Sequence, residues 1–474
     1  MLAGLDVEER RMRRTTIVLV SVAGLLTGCL GQTREADPAR NADAKDVTLI
    51  ITANAVSGGK NARGADWITN WVIPRFTEAQ KAKGVDVTLR LEQNGTADED
   101  YKTKVALDLK TGGGGDVVEL DGIWLGEFAQ AGHVKPLADV VGAAEVDAWD
   151  GWRQIPDAVQ DLGEFDGKRY GVPVGTDGRV LFYNKELFAR AGLPTDWQPR
   201  SWDDVLDTAA RLKALPGVSP LQLNAGAAMG EATTMQGVLP MLVGAGTEVH
   251  DNGRWQGATA GVKDVLGLYQ RIYRDGLGDP VLQQEAKGRD RSFALFAQGR
   301  IGILLESDYF WRSVVHPGTG VAKMADRDAV VGWALIPARR PGAGVGGQDF
   351  VSMSGGGVRV VNPNTDYPRQ AWELVEFLNS AEAVKSALAG NAQVTQRTDV
   401  NDEVLAGDPM LGFIAERVLP ITRYRPGLAD YPKVSAALQQ ATADVIAGRS
   451  PDEAARSYED ALVKAVGEDS VARG

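Results

Sequence analysis

The chain has 474 residues, a formal charge of −12, and 44% apolar and 24% charged residues. That length and composition suit a globular protein of more than one domain or lobe with a large core, and the acidic balance excludes nucleic acid or an anionic membrane surface as a natural partner. A single cysteine, Cys29, excludes an internal disulfide, and His133, His250 and His316 fall in no metal-ligand spacing.

In chain order, Arg10, Arg11, Arg13 and Arg14 come first, then an apolar run from Ile17 to Leu26, then Leu26-Thr27-Gly28-Cys29. A basic cluster, a short apolar core and small residues read as a secretory signal. The run falls short of the ~20 residues a membrane span needs. Leu-Thr-Gly-Cys resembles the lipobox of bacterial lipoproteins, which implies that residues 1–28 are removed and that Cys29 becomes a lipidated N-terminus. Three acidic residues before Arg10 depart from the usual n-region, and a start at Met12 leaves a conventional short signal. Removing residues 1–28, with four Arg and three acids, takes the charge to −13. Residues 29–45 are small and polar, a flexible tether. No second apolar span follows, so the body is expected to be soluble, touching the membrane through its lipid alone.

The fold is expected to begin with a strand at Val47–Thr52. A helix from Trp67 to about Lys83 shows Trp67, Ile68, Trp71, Val72 and Phe76 on one side, and these tryptophans read as core. Val85 to Leu91 alternates strictly, as a half-buried strand does. Asp98, Glu99 and Asp100 suit a helix N-terminus, where carboxylates meet the positive end of the dipole. That helix stops at the glycines 112–115, and Asp116–Leu120 is the next strand. Strand and helix alternate, which indicates α/β architecture with parallel pairing. Further on, Ser201-Trp202-Asp203-Asp204 predicts a capped helix. Arg300–Leu305 and Val358–Val361 predict strands, and Ala371 to Leu378 is a helical stripe after Pro368. Tyr431–Ala447 and Asp452–Val466 are further helices. No fixed-period repeat is present.

No chemistry-bearing enzyme motif stands out. The glycines 112–115 lack the Lys-Ser or Lys-Thr of a P-loop and read as a turn. There is no Gly-x-Ser-x-Gly elbow and no His-Glu-x-x-His helix. Gly355-Gly356-Gly357 reads equally as a tight turn or as a close backbone approach to a ligand. Trp124, Tyr309, Trp311 and Tyr431 lie at strand ends or helix starts beside polar residues. In an open α/β sheet, ligands sit beyond the carboxyl ends of the strands. Aromatic rings beside carboxylates suit sugars, whose C–H faces stack and whose hydroxyls need charged or amide partners. The same aromatics could equally fill a core.

Four segments resemble the extracellular solute-binding proteins of ABC importers, in the branch that includes maltose-binding protein. They are GGGGDVVELDGIWLGEFAQAGHVKPL (112–137), GKRYGVPVGTDGRVLFYNKELFARAGLP (167–194) running into SWDDVLDTAARL (201–212), SFALFAQGRIGILLESDYFW (292–311), and SGGGVRVVNPNTDYPRQAWELVEFLNS (354–380). Their order and spacing agree with the family. Gly175 stands where the family more often has a small polar residue or valine. Arg190 stands where an acid, amide or lysine is commoner.

The resemblance implies a two-lobe, type II periplasmic-binding-protein-like fold. Each lobe is an α/β sheet flanked by helices, and several hinge strands join them. The lobes are expected at 46–173 plus 351–397 and at 174–350 plus 398–474, with crossings near Pro173–Asp177, Phe350 and Arg397. The implied function is a lipid-anchored, monomeric receptor on the outer face of the cytoplasmic membrane. It takes a carbohydrate, a di- or oligosaccharide, between its lobes and delivers it to the permease of the importer, with no catalytic residue, metal or cofactor. Carried over by position, Asp121 and Trp124 contact sugar from the first lobe. Asp177 supplies a carboxylate beside the hinge. Tyr309 is the stacking aromatic, with Ser307 and Asp308 beside it. Gly355 and Gly356 bring backbone to the ligand, and Tyr431 is a second platform. Asn54, at the end of the first strand, and Arg397, near the third crossing, complete the set. Tyr183 and Asn184 read as structural. Two alternatives remain: a phosphorylated polyol or other anionic solute, which calls for arginines such as Arg179 and Arg397 in the cleft, and an extracytoplasmic glycoside hydrolase with paired carboxylates.

Overall fold

The computed structural model describes residues 36–474 apart from 60, 97, 389 and 390. The signal segment, Cys29 and the first part of the tether lie outside the described residues.

Two sheets organise the chain. In the first, the order is Asp86–Gln93, Asp46–Ala53, Val117–Asp121, Gly357–Val361, Gly171–Val174. Val47, Leu49 and Ile51 alternate into the core on one strand, and Val87 and Leu89 do so on its neighbour, so two consecutive strands each bury one face. The three strands earliest in sequence pair in parallel, with Ile51 opposite Val117. Gly357–Val361 runs antiparallel to both its neighbours, so the sheet is mixed where the sequence pattern predicts parallel pairing. The reason is connectivity: this strand returns from the other sheet and enters from the opposite end. In the second sheet the order is Val331–Ala334, Arg179–Asn184, Ile301–Ser307, Ser219–Gln222. Arg179–Asn184 and Ile301–Ser307 are buried along their whole length, as central strands covered on both faces must be. Helices Ile73–Ala82 and Pro368–Leu378 pack on the first sheet, and Trp202–Leu212 and Gly288–Ala297 on the second.

The chain passes from the first sheet to the second over Gly175–Gly178 and returns over Gly355–Gly356. A three-stranded sheet, Ile336–Pro337, Phe350–Ser354, Thr422–Tyr424, lies at these crossings. One apolar cluster runs continuously from Leu49, Ile51 and Val117 to Phe182, Phe310 and Val418. A second, around Leu181, Tyr269, Leu305 and Tyr458, joins the second sheet to the C-terminal helices Tyr431–Ile446 and Pro451–Val466.

Local chemistry explains the element ends. Asn184 caps helix Lys185–Arg190 by accepting from the Leu187 N–H at 3.0 Å, and the Tyr183 hydroxyl donates to the Thr195 carbonyl at 2.9 Å. Ser201 caps its helix as predicted, accepting from Asp204 N–H. The Asp204 carboxylate, however, takes the Arg200 N–H, so the reciprocal half of a capping box is absent there. Ser450 and Glu453 form the complete box. Three helices contain a π turn that ends two residues before a proline: Ile68–Val72 before Pro74, Thr234–Val238 before Pro240, and Ile414–Val418 before Pro420. Proline lacks the N–H that would bond the carbonyl four residues back and its ring crowds that carbonyl; widening the turn relieves both. The helix expected from Trp67 starts earlier, at Ala62, and runs into the π turn at Ile68–Val72.

Candidate functional site

Two adjoining hollows lie where the strands of both sheets end. The first, of about 740 Å³, is lined by Asn54, Asn61, Trp67, Asp98, Tyr101, Glu119, Asp121, Trp124 and Arg359 among others. The second, of about 460 Å³, is lined by Thr176, Asp177, Arg179, Glu231, Gln236, Arg289, Arg312, Gly355, Gly356 and Arg425. Val174, just before the crossing, lines both.

The first hollow rests on the carboxyl ends of Asp46–Ala53 and Val117–Asp121, where open α/β sheets bind ligands. Tyr101 is fixed by donating to the carbonyls of Thr52 (3.2 Å) and Glu119 (2.9 Å), and burial pushes its hydroxyl pKa up. Its ring sits 6.2 Å from that of Trp124. Trp124 is buried in the cluster with Tyr101, Leu125 and Phe128. Asp121 opens into the hollow; its carboxylate accepts from the Ile123 N–H at 3.1 Å. Burial raises its pKa, Arg425 opposes that rise, and Asp98 and Asp177 add to it. Asn54 donates to Asp98 (3.1 Å) and the Thr96 carbonyl (3.3 Å), and its own buried amide oxygen has no partner among the described residues. Glu119 and Arg359 pair at 2.8 Å at the base. Trp67, expected in the core, is half-buried: it packs against the core cluster and stacks on Trp71, and it also lines this hollow.

In the second hollow every lining arginine is held by a carboxylate: Arg179 by Asp177 (3.0 Å), Arg289 by Glu306 (2.7 Å), Arg312 by Asp308 (2.9 Å) and Arg425 by Glu231 (2.9 Å). Asp177 also accepts the Gly355 N–H at 2.7 Å, and its carbonyl takes the Ser354 hydroxyl, so one residue ties the outgoing crossing to the returning one. Burial would raise its pKa, but Arg179, the Gly355 N–H and Arg312 hold it below the usual range. Glu231 accepts from Tyr431 (2.6 Å), Ser435 (2.6 Å) and Thr234 (3.2 Å) as well as Arg425. A third hollow of about 780 Å³ lies between Asp161, Glu164 and Phe165 on one side and Val243, Glu248 and His250 on the other, with Arg423–Leu428 along it. It is the largest of these three, but it contains none of the candidate site residues named from the sequence.

The structure brings Asn54, Asp121 and Trp124 together in the first hollow, and Asp177, Gly355 and Gly356 in the second. Ser307 and Asp308 are buried behind the second hollow at the end of Ile301–Ser307. Asp308 accepts the Gly178 N–H at 3.0 Å and grips Arg312. Tyr431 is buried too, its hydroxyl spent on Glu231. Tyr309 is the exposed aromatic, at 37%, with the Arg289 and Arg312 guanidiniums 5.9 and 5.6 Å from its ring centre. Tyr309 and Arg397 line neither hollow: Tyr309 lies beside the lining residues Arg289 and Arg312, while Arg397 binds Asp399 and donates to the Asn379 carbonyl at 3.1 Å. Sequence reasoning missed Tyr101, Glu231, Gln236, Arg289, Arg312 and Arg425. The i,i+4 spacing of Asp308 and Arg312 is a readable signal. Arg425 and Glu231, 194 residues apart, offer none.

Burial, followed by the nearby Asp177, pushes the Asp308 carboxyl up from 3.8 to about 6. The fold then holds a proton that the unfolded chain has already lost. Its contribution to stability therefore falls as pH climbs from 3.8 to about 6 and is level above. Asp177 works with the opposite sign, its contribution being lost as pH falls through its depressed value. Thermal melts from about pH 4 to about pH 7 should show the unaltered protein losing stability relative to Asp308→Asn as pH rises through that window. Parallel profiles contradict the assignment.

The family profile of the bacterial extracellular solute-binding proteins matches residues 61–385. A binding protein of Brucella abortus (strain 2308) is 24% identical over 435 residues, covering 90% of this chain and 94% of that protein. The sn-glycerol-3-phosphate-binding periplasmic protein UgpB of the same strain is 30% identical over 93 residues, 20% of this chain and 21% of that protein. Among solved structures, the sugar-binding protein MalE from Xanthomonas citri superposes with a TM-score of 0.70 at 18% identity, over 88% of this chain and 98% of that one. That likeness establishes the two-lobe periplasmic-binding-protein fold. With a family profile covering well over half its length, the chain belongs to the bacterial extracellular solute-binding proteins.

Proposed function

We propose that this protein is the receptor of an ABC importer, exported, anchored through a lipid on Cys29, and closing its lobes over a neutral carbohydrate, a di- or oligosaccharide, which it hands to the permease. The lobes of this reading are residues 46–173 plus 351–397 and residues 174–350 plus 398–474. A third crossing near Arg397 is supported by two bonds that flank it: Thr398 to Gln154 of the first lobe, and Asp408 to the Trp311 indole of the second.

The observation that carries the ligand class is the pairing of every arginine in the second hollow with a carboxylate. A guanidinium held from behind by an acid still offers its remaining N–H groups, but the pair has no net charge to balance a phosphate. Such an array suits hydroxyls, which accept from arginine and donate to carboxylate. The first hollow adds Trp124, Tyr101 and the open Asp121. Each hollow is of the size that encloses a small organic ligand. Affinity then comes from binding the closed arrangement better than the open one.

A second reading, a phosphorylated polyol, is favoured by the four arginines themselves and by the stretch shared with UgpB. Thermal-shift measurements on protein lacking residues 1–29 separate the two. A sugar at about 100 times its Kd should stabilise by about 2.7 kcal/mol, while sn-glycerol 3-phosphate should not. A shift with the phosphate and none with any sugar overturns the ligand class. A hydrolase would release product from glycosides, and none is expected.

Tyr309→Ala should change folding stability by no more than about 0.5 kcal/mol, as for an exposed side chain, yet weaken sugar binding about tenfold, or ~1.4 kcal/mol. Equal losses of stability and affinity would make Tyr309 a packing residue.

A further inference from the structure

Among the described residues, three buried side-chain atoms without a hydrogen-bond partner belong to residues lining the second hollow: Gln236 Oε1, Arg179 Nε and Arg425 Nε. Arg179 and Arg425 are otherwise engaged through their terminal nitrogens. Gln236 is different. It is 4% exposed, and its amide oxygen has no partner among the described residues.

Other buried amides of the same sheet and its helices are satisfied. Gln222 donates to Asn224 at 2.8 Å and accepts from Gln283 at 3.0 Å, and Gln439 donates to Ser435 at 2.9 Å. Leaving an amide oxygen buried and unpaired is destabilising. The backbone at Gln236 is also off-helical, at φ −102° and ψ 26°. That distortion has its own cause: Pro240 cannot supply the N–H that the Gln236 carbonyl would accept. The bulge turns the residue out of the regular helix face, and the unpaired side chain is what remains unexplained.

We infer that Gln236 is the side chain by which the second hollow recognises a hydroxyl of the solute. With no hydrogen bond to hold the oxygen, the terminal amide can turn about its last torsion, a soft and roughly twofold rotation. It then presents its oxygen to the hollow. A hydroxyl donates to that oxygen and accepts from a neighbouring guanidinium, so one group satisfies both kinds of orphan. A fully ionised phosphate has no proton to give to the oxygen. Glu231, one turn earlier, cannot take this role, because its carboxylate is already saturated by four donors.

This inference rests on the carbohydrate reading above. Gln236→Met keeps the shape and removes the amide. The variant should melt at the same temperature as the unaltered protein or higher, because an unpaired buried group is gone. Its affinity for whichever of maltose, maltotetraose and tagatose binds the unaltered protein should fall at least tenfold. A lower melting temperature in the ligand-free variant shows that Gln236 is a packing residue and overturns the inference. Undiminished sugar affinity overturns it while leaving the carbohydrate reading intact. No sugar binding by the unaltered protein overturns both.

Discussion

Asp177→Ala should lower folding stability by about 3 kcal/mol and abolish measurable solute binding. The magnitude follows from what is left behind: removing one partner of a buried pair strands the other charge, at about 3–5 kcal/mol when burial is complete. The Arg179 side chain is 6% exposed, and Asp177 itself is 24% exposed, so the lower end applies. The Gly355 N–H loses its acceptor in the same step. Both groups sit on the crossings between the two sheets, so the variant should also bind worse than its lost stability alone implies. Asp177→Asn, which keeps an acceptor and drops the charge, should cost less. Urea unfolding of both variants measures this, and a loss below about 1 kcal/mol for Asp177→Ala would remove the clamp from the account.

Trp124→Ala should be as damaging by another route. The indole is buried beside Tyr101, Leu125 and Phe128 while one side of it walls the first hollow. Truncating a buried aromatic to alanine costs about 3–5 kcal/mol, part of it for the cavity left behind. Binding should vanish with it, because the first hollow loses that wall. Trp124→Phe should recover most of the stability and only part of the affinity. Calorimetric melts and sugar titrations on the same preparations distinguish this pattern from the one expected at exposed Tyr309, where affinity falls and stability does not.

The contrast between these aromatics shows how far sequence alone carries. Strand ends were legible: alternation at Val85 to Leu91 and the run Asp116–Leu120 put Asp121 and Trp124 beyond a strand terminus, and the structure places both in the first hollow. Burial was not legible. Tyr431 and Tyr309 both begin helical stretches beside polar residues, yet one is enclosed by Glu231 and its neighbours and the other stands open between two arginines. That difference depends on chain segments some 200 residues distant, which local pattern cannot report. Trp67 is an intermediate case, packing against the core cluster as its stripe implies while also lining the first hollow. A stripe of apolar residues assumes 3.6 residues per turn, and the π turn ahead of Pro74 breaks that count. The prolines at 74, 240 and 420 were visible all along, and each marks a place where helical periodicity should not be extrapolated.

The arginine–carboxylate pairs were the least legible and matter most for the ligand. Asp177 and Arg179 are neighbours in sequence, and Asp308 and Arg312 are one helical turn apart. Arg289 reaches Glu306 only because its helix, Gly288–Ala297, packs on the strand that carries Glu306. Arg425 reaches Glu231 only after the chain has passed through the three-stranded sheet at the crossings. A composition of 51 basic and 63 acidic residues could supply many such matches. Only the fold selects these four, and their neutrality as a set is what points to a hydroxylated solute.

A crystal structure of the protein with the sugar that raises its melting temperature most tests the central claim directly. The account predicts one sugar reaching from Asp121 and Trp124 to Gln236 and Arg425, enclosed by residues of both sheets. A sugar lodged instead between Phe165 and His250 in the third hollow, with the other two empty, would contradict it.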